Sequence, residues 1–350
     1  MRGDCKTIGW ALIGCGWLGR AYAAPAIVAS GNGRLVAACD RDAEARASVT
    51  AEFLSDNLDA ILARDDIDAA YVATPNDSHR PIVERCAAAG VHVLCEKPMA
   101  RNGVDARAMT EACGAAGVTY ATAFDQRWHP AHVAIRQLIA SGEIGTVTQV
   151  LIRYACWTPR DWRPGDWAHD NWRIDPRRAG GGAMIDLAPH GLDLTHTLLG
   201  EPIVRVACLL QSQVMDYGPG NATDDGATLI GQTASGTLLN LSVAYNCADA
   251  FPRRRLEIVG TEGHILAENT MGQMPGGTVT FTKRDGSVAP VEFDAAASPF
   301  TGQVRTFADS LLGRSPWPFA IEQDLHTMAL LDVAASQRMR EVQVPTGVLT

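Results

Sequence analysis

Along the first third of the chain, short apolar runs alternate with segments whose apolar residues recur at helical spacing. The strand-like runs are Thr7–Ile13, Arg34–Cys39, Ala69–Ala73, Val91–Cys95 and Val118–Ala123. Between them the pattern predicts helices over Leu18–Ala29, Ala43–Leu54, Pro81–Ala89 and Val104–Ala116. Short apolar strands separated by helices predict a parallel, doubly wound α/β sheet. The rhythm changes near residue 125. A helix over Pro130–Ala140 and a strand over Thr146–Tyr154 come next, then a loop rich in tryptophan, a glycine run and a helix that ends near Gly200. From Ile203 to about Phe293 strands follow one another without helices, among them Ala227–Gly231, Thr237–Tyr245, Arg255–Val259 and Thr278–Thr282. The segment LEIVGTEGHILAE predicts a hairpin that turns at Gly260–Gly263. Strands in uninterrupted succession predict a large, mostly antiparallel sheet. Helices near Phe300–Leu312 and Ala320–Arg338 close the chain. The expected organisation is an α/β dinucleotide-type domain over residues 1–125 and an α+β domain over 126–350, which suits a length of 350 residues.

Charge narrows the choice of partners. The net charge is −9 and the pI about 5.5. That lacks the basic footprint a duplex-binding protein needs, so nucleic acid is not an expected partner. No apolar run approaches the ~18 residues of a membrane span, so no membrane role is expected. The opening MRGDCKTIGWALIGCGWLGRAYAAPA has the early cations, apolar stretch and small-residue end of an export signal. Asp4 and the dense glycines break that pattern. The nine cysteines include no C-x-x-C pair. They predict reduced thiols in a cytoplasmic protein.

The first chemical signal is WALIGCGWLGRAY, which fits G-x-G-x-x-G with Gly14, Gly16 and Gly19. The motif follows an apolar strand and opens a helix. Asp40 ends the next strand, 21 residues beyond Gly19. That is the context of a Rossmann-type dinucleotide site. Gly14 permits the tight turn, Gly16 lets the backbone reach a pyrophosphate, and Gly19 lets helix and strand pack closely. The helix start supplies free N–H groups and partial positive charge. Trp17 and Leu18 lie inside this loop and are further candidate contacts. A carboxylate at Asp40 accepts hydrogen bonds from ribose hydroxyls and repels a 2′-phosphate, which favours NAD over NADP. Arg41 beside it could stack on adenine or pair with a 2′-phosphate, so NADP stays open.

Two further loops follow parallel strands: ATPNDSHRP, with Thr74, Pro75, Asn76 and His79, and CEKPMA, with Glu96 and Lys97. Ligands of open α/β sheets bind beyond the carboxyl ends of the strands, so both loops are expected to face the nicotinamide half of a cofactor. Lys97 there can polarise a hydroxyl or carbonyl oxygen. The stretch GGGAMIDLAPHGLD puts three glycines before a helix that carries Asp186, His190 and Asp193. The glycines are expected to let the chain pass close to cofactor and substrate. Asp186 and His190, four apart, share one helix face, although Pro189 lies between them and could kink the helix. With no cysteine or glutamate nearby to complete a ligand set, no metal site is expected.

The glycine loop, TPNDSH, EKP, WRIDPRRAGGG and DLAPH, in this order, resemble the Gfo/Idh/MocA family, named for glucose–fructose oxidoreductase and inositol dehydrogenase. LEIVGTEG late in the chain is similar too. The resemblance implies NAD(P)-dependent oxidation or reduction of sugars, cyclitols and related polyols. It implies that Lys97, Asp186 and His190 form the catalytic group, and that TPNDSH, Trp172 and Arg173 line the cofactor. It also implies that the second-domain sheet mediates contacts in a homodimer or homotetramer. On this basis His190 takes the proton of a secondary alcohol, Asp186 binds substrate or orients the imidazole, and Lys97 stabilises the oxyanion. Some similar proteins cleave glycosidic bonds through transient oxidation, and a nucleotide-sensing regulator is a further alternative.

Substrate contacts are expected from two places. Trp157, Trp162, Trp167 and Trp172 are four of the eight tryptophans. Their flat rings suit the C–H faces of sugars and also suit subunit interfaces. FDQRWHP, at the domain junction, offers Asp125, Arg127 and His129; Arg127 is a candidate substrate ligand. Arginines 153, 160, 163 and 173 hint at an anionic substrate, but aspartates interleave with them and mutual pairing is expected.

Overall fold

In a computed structural model of the chain, residues 7–163, 171–218 and 223–336 are described. Trp167 and the end of the last expected helix, at Arg338, lie outside them. The first six strands are β1 (Ile8–Ile13), β2 (Gly33–Cys39), β3 (Phe53–Ser55), β4 (Ala69–Val72), β5 (His92–Glu96) and β6 (Tyr120–Ala123). They form an all-parallel sheet in the order β3-β2-β1-β4-β5-β6. Successive side chains of β1 enter two different cores, as a pleated strand covered on both faces requires. Trp10 and Leu12 pack on one face, Ala11 and Ile13 on the other.

Five helices accompany this sheet: α1 (Ala24–Ala29), α2 (Ala43–Ala47), α3 (Leu58–Leu62), α4 (His79–Ala88) and α5 (Gly103–Ala116). A wider π-turn over Gly19–Ala23 leads into α1. The single helix expected over Ala43–Leu54 is only half right. Asp42 caps its start, accepting from the amides of Glu44 and Ala45, but the helix ends after five residues. The chain then extends, and Phe53–Ser55 pairs with Ala37–Cys39 at the sheet edge. Strand pairing outweighs the weak helical propensity of Val49 and Thr50.

The second half contains α6 (Pro130–Ala140), β7 (Val147–Ala155), α7 (Pro176–Ala179), α8 (Ala183–Leu199), β8 (Ile203–Gln211), β9 (Gly226–Thr233), β10 (Leu238–Ala244), β11 (Arg254–Gly260), β12 (Gly263–Glu268), β13 (Thr278–Lys283) and β14 (Val288–Pro290). The eight strands run β14-β13-β12-β11-β7-β10-β9-β8. β7, first in the chain, sits inside the sheet, antiparallel to β11 and parallel to β10. Its end, with Tyr154, therefore lies beside the start of β11. Helix α8 runs through Pro189 without interruption. It packs so closely on the sheet that a Cβ at Gly191 would come 2.6 Å from Leu241. The opposite sheet face exposes Leu209, Ile230 and Leu238.

Two helices finish the described chain. α9 (Pro299–Leu311) returns to the first sheet, where Phe300, Val304 and Phe307 pack with Trp10 and Ile27. α10 (Ile321–Ser336) lies against α5 and α8. Residues of both expected domains thus share a continuous apolar interior.

Candidate active site

The order of the first sheet reverses between β1 and β4, and the loops after these strands part there to form a crevice. Gly14 has φ +96, and a Cβ on it would come 2.5 Å from the Ala73 carbonyl. A Cβ at Gly19 would overlap the Gly14 carbonyl. Gly16 differs: a Cβ there would meet nothing within 4 Å, so open cavity faces the backbone. That opening is where a pyrophosphate would reach the helix start, and the residues present fit the group. Asp40 braces the loop: its carboxylate accepts from the Cys15 amide at 2.7 Å and the Asp42 amide at 3.0 Å.

A cavity of about 960 Å³ runs from this loop to the second sheet. Leu18, Asp40, Arg41 and Leu58 line one end, then Gly16, Trp17, Thr74, Pro75 and Asn76, and at the far end Glu96, Lys97, Asp186, Tyr154, Trp157 and Arg254. Trp172 and Arg173 also line it; the Arg173 guanidinium lies 5.1 Å from the Trp162 ring and 4.6 Å from that of Trp172. Trp162 in turn meets Trp17 edge-on, with ring centroids 6.4 Å apart. The tryptophan loop thus reaches across to the glycine loop.

Lys97 follows β5 and Asp186 sits in the first turn of α8. The ammonium donates to Asp186 Oδ1 at 2.8 Å and to the Asp186 carbonyl at 3.0 Å. The Tyr245 hydroxyl donates to Asp186 Oδ2 at 2.7 Å. Burial works against the charged form of Asp186, but Lys97, Arg173 and Tyr245 outweigh it and hold the carboxyl well below the usual carboxylate range. One turn on, His190 is 1% exposed. Its Nδ1 lies 3.2 Å from Asp125 Oδ1 without making a hydrogen bond, and among the described residues neither of these atoms nor His190 Nε2 has a hydrogen-bond partner. Burial, and then the charge of Lys97, lower the imidazole pKa, so the ring is neutral at neutral pH. Glu96 is buried beside this group. Desolvation lifts its carboxyl to about 7, against the pull of the Tyr71 hydroxyl, which donates at 2.6 Å, and of Lys97.

Several sequence expectations need correction. Asp186 does not orient His190; it binds Lys97 and Tyr245, and Asp125 stands beside the imidazole instead. Arg127 is no substrate ligand. Its side chain is fully buried, donating to Asp193 at 2.9 and 2.5 Å and to Asp324 at 2.5 Å, away from the cavity wall. A buried cation needs such partners, and removing one member of such a network costs about 3–5 kcal/mol. His79 does not line the cavity either. It is fully buried, with ring nitrogens 3.0 Å from the Thr74 carbonyl and 3.2 Å from that of Pro98, so it ties two cavity-lining loops together. The three glycines before α8 answer to protein, not ligand. Gly180 has φ +92 and presses on Arg101, while a Cβ at Gly182 would overlap the Asp224 carbonyl. The Asp224 carboxylate then caps α8, accepting from the amides of Gly182 at 2.9 Å and Met184 at 2.7 Å. Asp125, which the sequence offered as a possible substrate contact, stands beside His190 instead, and Tyr154, Tyr245 and Arg254 are site residues the sequence did not single out. Tyr154 and Arg254 lie at strand ends, where side chains face the mouth of a sheet, and only the register pairs them.

With this geometry in place, comparison with known proteins is specific. The model described as "Oxidoreductase family, NAD-binding Rossmann fold" matches residues 8–124. The "GFO/IDH/MocA C-terminal domain" model matches residues 132–266. The chain belongs to the Gfo/Idh/MocA oxidoreductase family, and its first domain is an NAD(P)-binding Rossmann fold. Similar proteins include the 1,5-anhydro-D-fructose reductase of Ensifer adhaerens, 31% identical over 79% of this chain and 80% of that protein. The inositol 2-dehydrogenase of Rhizobium meliloti (strain 1021) is 31% identical over 75% of this chain and 76% of that protein. Among solved structures, the aldose-aldose oxidoreductase of Caulobacter crescentus, complexed with glycerol, matches with TM-score 0.82 and 25% identity, covering 94% of this chain and 97% of that one.

Proposed function

We propose that this enzyme transfers hydride between NAD(P) and a hydroxyl- or keto-bearing carbon of a sugar, cyclitol or related polyol. The observation that carries the reading is the contact of Lys97 with Asp186 at the far end of a cavity that begins at the glycine loop, with His190 buried one helix turn beyond Asp186 and outside the cavity lining. Bound along the crevice, the nicotinamide supplies a hydride acceptor or donor. The residues of the chain do the rest. Lys97, fixed by Asp186, points positive charge at the reacting oxygen. His190, neutral and with Asp125 beside its Nδ1, takes the hydroxyl proton at Nε2. Leu18, Thr74, Pro75, Asn76, Glu96, Trp172 and Arg173 hold the cofactor, and Trp157 offers a flat face to the sugar. The glycosidase and regulator alternatives are not favoured, because the similar proteins named above are a reductase and a dehydrogenase.

Three finer readings go with this one. Asp40, placed beside the ribose end, supports NAD as the preferred cofactor. The outward face of β8, β9 and β10, with Leu209, Ile230 and Leu238 each more than half exposed, supports a homo-oligomer formed by burying that face in a second copy. The eight described cysteines, none in a disulfide, support a cytoplasmic location.

The proton step sets the pH dependence. His190 has its pKa lowered, so it stays neutral and active from alkaline pH down through the ordinary imidazole value of ~6.5. The kcat/KM for alcohol oxidation is therefore expected to fall only below that value, as the lowered pKa is crossed. His190→Ala should reduce kcat by about 100- to 10,000-fold, leave the cofactor Kd nearly unchanged, and abolish the acid limb; unchanged turnover would overturn the role. For the cofactor, Asp40→Ala should lower the ratio of kcat/KM with NAD to that with NADP by about tenfold, a loss of like-charge repulsion. A ratio that does not move contradicts the NAD preference. For assembly, light scattering should report a dimer or larger species that Ile230→Asp with Leu238→Asp dissociates; a monomeric parent protein refutes the interface.

A further inference from the structure

Arg254 opens β11 directly opposite Tyr154 of β7. Its guanidinium carbon lies 5.5 Å from the centre of the Tyr154 ring, and the same ring packs against His190 at 5.2 Å. The backbone of Gly272, at φ +130, closes over it so tightly that a Cβ there would overlap Nη1. The guanidinium is thus held between an aromatic ring and a glycine backbone, and it lines the cavity near Lys97 and Asp186. Among the described residues no carboxylate pairs with it and no hydrogen bond satisfies its side chain; Nε is buried without a partner. Of the other cavity arginines, Arg41 stands beside Asp40 at the opposite end and the rest are engaged. Arg85 pairs with Asp59 and Arg253 with Asp249, while Arg173 stacks on Trp162 and Trp172. Asp186 is held by Lys97 and Tyr245. A partly desolvated guanidinium with no counter-charge is costly to keep, and a rigid planar fork matches a carboxylate or phosphate in two parallel hydrogen bonds.

We propose that Arg254 is a specificity-determining residue that binds an anionic group of the substrate, so that the substrate is an acidic sugar derivative and not a neutral polyol. The inference rests on the redox reading above and narrows its substrate class. One tyrosine ring separates Arg254 from His190, so the anion sits on the same small molecule as the reacting hydroxyl but away from it. The 2′-phosphate of a cofactor is no competitor, because its place is at the opposite end of the cavity, by Asp40.

The test is a binding titration of the NADH-loaded protein, read by tryptophan fluorescence. The probes are a hexuronate, an aldonate and a hexose 6-phosphate, beside the neutral hexose and alditol. The acids are expected to bind about tenfold or more tightly than their neutral counterparts. Carboxylate and phosphate arms identify which anion the fork accepts. Arg254→Ala should remove the preference, Arg254→Lys should restore part of it, and neither should alter the Kd for NADH. Equal binding of acids and neutral compounds, no binding of any acid, or a preference that survives Arg254→Ala overturns the proposal. Activity of the parent protein that depends on Lys97 would still stand in those cases, so the two readings fail separately.

Discussion

Lys97 and Asp186 come from opposite halves of the molecule, one at the end of a strand in the parallel sheet and the other in the first turn of the helix that backs the second sheet. Their contact at 2.8 Å is the point on which the rest of the site depends. A pair this largely buried is unfavourable unless most of its lone pairs and protons find a partner. Here the Asp186 carbonyl and the Tyr245 hydroxyl supply those partners. The helix that carries Asp186 must then start at one place and no other. Asp224, reaching from just before β9, fixes that start through two amides, and the glycine run makes the approach possible.

A second buried network performs a similar task out of reach of the cavity. Arg127, Asp193 and Asp324 tie the junction after β6 to α8 and α10, and Asp324 also accepts from the amide of Thr122 in β6. The α8 helix is thereby held at its start by Asp224 and near its middle by Arg127. His190 lies between these ties, which explains how its ring can be kept beside Asp125 in the absence of solvent.

Much of this was legible in the sequence. Strand–glycine loop–helix–Asp40 is a local pattern, and the apolar alternation of the first third names the sheet that presents it. Lys97, Asp186 and His190 stood out by motif. What the sequence did not reveal depends on contacts between distant segments. Arg127 resembles any cavity arginine until two aspartates, one of them nearly two hundred residues away, are brought to it. His79 looks like a ligand contact because its loop lines the cavity, yet its ring turns inward to backbone carbonyls. The glycines before α8 suggested a bound molecule, and the close neighbour is Asp224. Tyr154 and Arg254 meet only through the register of β7 with β11, which no local pattern specifies.

The most direct test of the account follows nicotinamide absorbance with purified protein, either cofactor, and a panel of neutral and acidic sugars, cyclitols and polyols, alongside Lys97→Ala. The account predicts net formation or consumption of reduced nicotinamide with at least one of these compounds, and its loss in the variant while cofactor binding persists. Tight cofactor binding with no net redox change in the parent protein, or turnover that survives Lys97→Ala, would contradict it.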